Sequence, residues 1–187
     1  FVRFAGSGRC RRCAPGQLYH RFLKDQPLPD DVSTGLSRFR YAKGDMQIHY
    51  ALSAPPCWKT PELGKVALLH LTPGLDGVSR ASNECERGLL PAVPTICVGQ
   101  PTALDPSRAP DGKHVLWVQV RVLPANIRGD AANEITAKHW DEAKEPYAAR
   151  VLGLLEHYAP GLSGKILGKA VFSPLDIERE NPNLIGG

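Results

Sequence analysis

Proline and glycine break this chain so often that few windows remain for long regular structure: 17 prolines and 18 glycines fall among 187 residues. Proline fixes φ and removes a backbone donor, and glycine favours turns, so many short elements are predicted rather than a helical bundle. The composition, 42% hydrophobic and 22% charged, suffices for one ordinary domain with its own core and argues against intrinsic disorder. No stretch approaches the roughly 20 apolar residues that span a bilayer, so integral membrane association is not expected.

The net charge of +4 is unevenly spread. Residues 1–24 hold Arg3, Arg9, Arg11, Arg12, Arg21 and Lys24 and no acidic side chain, which leaves 17 basic against 19 acidic groups in the rest. The basic character thus belongs to a head segment. The body lacks the clustered Lys and Arg interleaved with aromatics that nucleic-acid binding needs, and no nucleic-acid partner is expected. Residues 1–16 read as an irregular or disordered head, and residues 17–187 as the folded domain. No charged n-region followed by an apolar run marks a secretory signal, and the cytoplasm is the default location.

Five cysteines at irregular spacing (Cys10, Cys13, Cys57, Cys85, Cys97) do not read as a secreted disulfide framework. Cys10 and Cys13 match C-x-x-C, but Pro15 and Gly16 follow where a redox motif wants a helix, so a reduced, incidental pair is expected. No second pair completes a zinc site, and no metal is expected.

Along the body, Leu18, Tyr19, Phe22 and Leu23 give helical spacing over 17–24, and a second short helix is predicted over 30–39. Residues 45–52 alternate, with Met46, Ile48, Tyr50 and Leu52 on one side and Asp45, Gln47, His49 and Ala51 on the other, as in a half-buried strand. Strands are also predicted over 66–72, 95–98, 114–123 and 165–172. A helix is predicted over 76–90, with Asp76 as its N-cap and Arg87 near its end. The strongest helix covers 140–158, where Tyr147, Val151, Leu154, Leu155 and Tyr158 form one apolar stripe around an interior Pro146. Ser173-Pro174 opens a last helical turn. The pattern is an α+β fold, a mixed, mainly antiparallel sheet with helices packed on one face.

Candidate chemistry is sparse. Gly6-Ser-Gly8 starts like a dinucleotide fingerprint, but Arg11 stands at the third glycine position and no strand precedes it, so no cofactor-binding residue is assigned. His70, Asp76 and Ser79 supply the side-chain types of a hydrolytic triad, although Ser79 lacks the second glycine of a nucleophile elbow. His49 and His70 lie on two predicted strands and could be neighbours in a pocket. Arg80, seven residues before Arg87 on the predicted helix, could contact an anion. His49, His70 and Arg80 are therefore the candidate substrate-binding residues. Trp58, Trp117 and Trp140 read as core or edge aromatics.

The segment Gln100-Pro-Thr-Ala-Leu-Asp-Pro-Ser-Arg-Ala-Pro-Asp-Gly-Lys-His114 resembles the P-x-x-x-D-P-x-x-A-P-x-G stretch of phytoene desaturase-like FAD-dependent oxidoreductases, a group that includes the pyridine nucleotide-disulfide oxidoreductase domain-containing proteins. The matching positions are Pro101, Asp105, Pro106, Ala109, Pro110 and Gly112. Three further stretches agree in order: Gly44-Asp-Met-Gln-Ile-His-Tyr-Ala-Leu52, Tyr147-Ala-Ala-Arg-Val151 with Tyr158-Ala-Pro-Gly161, and Phe172-Ser-Pro-Leu-Asp-Ile-Glu178. The resemblance covers about residues 15–187 and implies the middle, substrate-side domain of such a protein. The family's FAD-binding glycine fingerprint would precede it and a flavin-closing segment would follow. FAD is then the cofactor of the full-length family, with none expected on this chain alone, which is not expected to be redox-competent by itself. An apolar small molecule is the implied ligand. A surface normally covered by the flavin domain would favour a homo-oligomer. Two rival functions stand beside this one: a small stand-alone hydrolase of an ester or lactone using His70, Asp76 and Ser79, and a non-catalytic binder of apolar ligands.

Overall fold

A computed structural model describes residues 13–187. After a π-helical turn at Gln17–Phe22, the elements are α1 (Asp30–Arg38), β1 (Gly44–Leu52), β2 (Leu68–Leu71), α2 (Gly74–Glu86), β3 (Leu89–Leu90), β4 (Thr95–Gly99), α3 (Pro101–Leu104), β5 (His114–Leu123), β6 (Gly129–Asp130), α4 (Trp140–Tyr158), β7 (Ile166–Phe172) and α5 (Pro174–Glu180). Five strands form one antiparallel sheet in the order β2-β4-β5-β1-β7, and β3 and β6 form a separate parallel pair. This is the α+β class that the sequence predicts.

Alternation in β1 becomes burial. Met46, Ile48, Tyr50 and Leu52 are buried, as are Leu116, Val118 and Val120 of β5, and all join one core with Tyr147, Val151 and Leu155 of α4. Each such aliphatic side chain withdrawn from water contributes about 1.5–3 kcal/mol before the entropy of ordering it. The helix runs over the predicted 140–158 with Pro146 in its interior. Ser173 caps α5 through a reciprocal exchange with Asp176, in which the Ser173 hydroxyl accepts the Asp176 N–H and the carboxylate accepts the Ser173 N–H.

The helix predicted over 76–90 instead runs from Gly74 to Glu86, and Asp76 is not its N-cap: Pro73 holds that position and Asp76 lies in the first turn. There its charge still complements the positive helix end. Gly88, at φ +78, adopts the left-handed conformation that closes a helix, and its N–H donates to the Cys85 carbonyl. Leu89 and Leu90 are thereby released to pair with Gly129 and Asp130.

One pair of charges ties this small ladder to the main helix. The Arg150 guanidinium donates to both carboxylate oxygens of Asp130, at 2.7 Å for the Nη1 contact, and Nη1 also reaches the Pro91 carbonyl at 3.3 Å. Asp130 further accepts the N–H groups of Ala132, Glu134 and Ile135. Its side chain is 1% exposed and that of Arg150 10%. Burial pushes the Asp130 carboxyl up, but the guanidinium and the three N–H donors outweigh it and hold the group well below the usual carboxylate range.

Cys13 is disulfide-bonded, which corrects the expectation of a reduced thiol there; Cys10 lies outside the described residues, as does most of the predicted head. Cys57, Cys85 and Cys97 are free thiols. No helix among the described residues is long and apolar enough to cross a membrane.

Candidate functional site

With α4 closing one face of the sheet, the other face carries the odd-numbered set of β1. Asp45, Gln47 and His49 are half-buried there, beside Trp117 and Gln119 of β5. These side chains hold one another. Trp117 Nε1 donates to Gln47 Oε1 at 3.2 Å, and Gln119 Nε2 donates to an Asp45 carboxylate oxygen at 2.6 Å. His49 packs edge-on against Phe172 of β7, with 5.9 Å between ring centroids. Burial pushes the Asp45 carboxyl up, partly offset by Arg121, Gln119 and the Val122 N–H. Val122 sits at φ +64, a left-handed conformation that a β-branched residue rarely adopts, where the β1–β5 register shifts between Gly44 and Met46.

The floor of a groove is set by a glycine. Gly99 of β4 lies opposite Trp117 in the ladder, and a Cβ at Gly99 would stand 2.7 Å from Trp117 Cε3. Only a residue without a side chain lets the indole occupy that place. Around it lies an open cavity of about 570 Å³, lined mostly by apolar atoms of Ala67, Leu68, Val115 and Pro101, with His49 on one side and Arg108 at the rim. Arg108 ends a 3-10 turn, Pro106–Arg108, that Asp105 caps by accepting the Ser107 N–H at 3.1 Å. The stretch that carries the family resemblance is therefore the loop that borders this groove. Gly112, at φ +69, turns the chain back into β5.

His49 is the one candidate residue placed in the groove. His70 lies on the same sheet face, but β4 and β5 separate their strands, so they are not the neighbours expected; three strand spacings amount to about 14 Å. Pairing order, which sets this distance, is not encoded in the alternation of single strands. His70 Nε2 instead lies 3.9 Å from Cys97 Sγ, a buried thiol that burial pushes up. Asp76 and Ser79 are exposed on α2, and no hydrogen bond among the described residues joins either of them to His70. Arg80 is likewise exposed on α2 and does not line the groove.

Trp58 and Trp140 are core residues, as the sequence suggests. Trp58 donates to Gln100 Oε1 at 2.8 Å, and Trp140 donates to the Pro124 carbonyl at 3.0 Å. A second groove, of about 550 Å³, runs past Lys43, Arg128 and Glu178, where Lys43 is already paired with Glu86. No group of three His, Cys, Asp or Glu among the described residues could hold a metal ion. A dinucleotide cradle needs a parallel strand–turn–helix unit with glycines at the turn. The main sheet is antiparallel throughout, and the strand-to-helix turns at Thr72-Pro73-Gly74, Gln100 and Ser173 do not carry that glycine pattern, so the described residues form no such cradle for FAD.

No protein-family model matches the chain. Over 101 residues, 54% of its length, it is 35% identical to pyridine nucleotide-disulfide oxidoreductase domain-containing protein 2 of Rattus norvegicus. The protein of the same name in Mus musculus is 33% identical over 101 residues. The matched stretch spans 16% of the length of each of these relatives. About half of this chain is thus related in sequence to a small part of a pyridine nucleotide-disulfide oxidoreductase domain-containing protein.

Proposed function

We propose that the chain is the substrate-side domain of a FAD-dependent, phytoene desaturase-like oxidoreductase and that the groove over Trp117 is part of the wall of its apolar substrate cavity. The observation that carries this reading is the Trp117–Gly99 floor on a sheet face that the core helix leaves open. An enzyme that handles an apolar substrate beside a flavin needs such a wall to exclude water and orient the reacting carbon, while the cofactor supplies the redox chemistry. In this reading the flavin is held elsewhere in the longer protein, and the chain by itself is not redox-competent.

The test uses the purified chain with two probes. All-trans-retinol, a neutral polyene, is expected to bind saturably at one site, read from its own fluorescence, and to lose that binding in Trp117→Gln. FAD added in excess is expected to leave no visible absorbance on the protein after desalting. Retained flavin, or retinol binding indifferent to Trp117→Gln, would overturn the proposal.

The same reading carries a self-association. Leu75, Leu104 and Leu167 are 86%, 70% and 61% exposed, and a domain parted from its flavin-binding neighbour would leave further apolar surface uncovered. The isolated chain is therefore expected to form a homo-oligomer, seen by light scattering as a mass above the 20.4 kDa of one copy. A strict monomer at all concentrations refutes it.

A further inference from the structure

The groove has an uneven chemistry. Its floor and most of its walls are apolar, yet Arg108 stands at the rim as the only Lys or Arg side chain among the described residues that lines it. That guanidinium makes no ion pair or side-chain hydrogen bond among the described residues, whereas Arg150 and Arg179 are each engaged by a carboxylate. The nearest acid in sequence, Asp105, is occupied with the Ser107 N–H and hydroxyl and so fixes the turn that presents Arg108. On the floor, the indole is held flat by Gly99 and by its hydrogen bond to Gln47, a rigid surface for a planar partner.

We propose that this groove takes an elongated, planar apolar molecule that ends in a single carboxylate, with the conjugated part over Trp117 and the carboxylate on Arg108. This rests on the groove being the substrate wall. A guanidinium matches a carboxylate with two parallel N–H donors, and such charge-assisted bonds are about twice as strong as neutral ones. One cation also suits one negative charge, whereas a phosphate dianion calls for more cationic donors than the single guanidinium at this rim.

The experiment compares retinoate with retinol, which share the polyene and differ at its end. Retinoate is expected to bind at least about fivefold more tightly, in keeping with a charge-assisted bond at a partly exposed site. Arg108→Gln is expected to bring retinoate down to the affinity of retinol. Arg87→Gln, which removes the same charge from the end of α2, leaves the preference in place. Equal binding of the two probes, or a preference that survives Arg108→Gln, overturns the ligand class while leaving the wall reading intact. Failure of both probes to bind removes the wall reading and this inference with it.

Discussion

Arg150→Ala is expected to destabilise the fold by about 3–5 kcal/mol, because it leaves the Asp130 carboxylate buried with no countercharge. At roughly 2–4 °C of melting temperature per kcal/mol for a chain of this size, the loss is easily read by thermal denaturation. The pair does more than neutralise itself. Asp130 also gathers the loop N–H groups at 132, 134 and 135, and Arg150 reaches the Pro91 carbonyl and stacks over the Tyr147 ring at 5.3 Å. Removing the guanidinium therefore loosens β3, β6 and the middle of α4 together. The double change Asp130→Leu with Arg150→Met should cost less than either Asp130→Ala or Arg150→Ala, since no charge is left stranded. A single Arg150→Ala within 1 kcal/mol of the parent, as an order-of-magnitude bound, would show the pair to be energetically idle.

The same pair sets an acid limit. The folded carboxyl of Asp130 titrates well below its ordinary value of 3.8. A group depressed in the folded state stabilises it fully above the unfolded pKa and loses that contribution as the pH falls below it. The chain should thus hold the Asp130 contribution down to about pH 4 and shed it under more acidic conditions, and Asp130→Asn should flatten that limb of the stability curve.

How much of this was legible in the sequence depends on the range of the interaction. The alternation of Met46, Ile48, Tyr50 and Leu52 and the stripe from Tyr147 to Leu155 are local patterns, and each buries the side that it predicts. Helix α2 was shifted because Asp76 is a good cap residue in isolation, whereas the Pro73-Gly74 turn starts the helix earlier and the left-handed Gly88 stops it sooner. The contact of Arg150 with Asp130 joins an α-helix to a two-residue strand that no periodicity can reveal. His49 was visible as a polar residue on a half-buried strand, but its neighbours Trp117 and Phe172 come from the strand order β5-β1-β7, which pairing in space decides. Arg108 lay inside the stretch that carried the resemblance without standing out in it. Only the fold shows that the capped turn places its guanidinium at the mouth of an apolar groove.

Gly99→Val is the second large effect expected, and it separates the groove from the fold. A side chain at this position begins 2.7 Å from Trp117 Cε3, so either the indole swings out of its place or the strands part. Overpacking of this kind costs about 1–3 kcal/mol. Either response fills or deforms the floor, and retinol binding should be lost even below the melting transition, where the protein remains folded. Gly168→Val is the matched control. Gly168 lies in β7 with nothing within 4 Å of a Cβ, so valine there should be tolerated and should leave retinol binding as it was. The mechanism makes one more demand: the atom struck belongs to Trp117, so Gly99→Val with Trp117→Ala should recover most of the lost stability and none of the binding. Stability and binding restored together would place the ligand off the indole, and neither restored would place the strain of Gly99→Val in the backbone rather than in the ring.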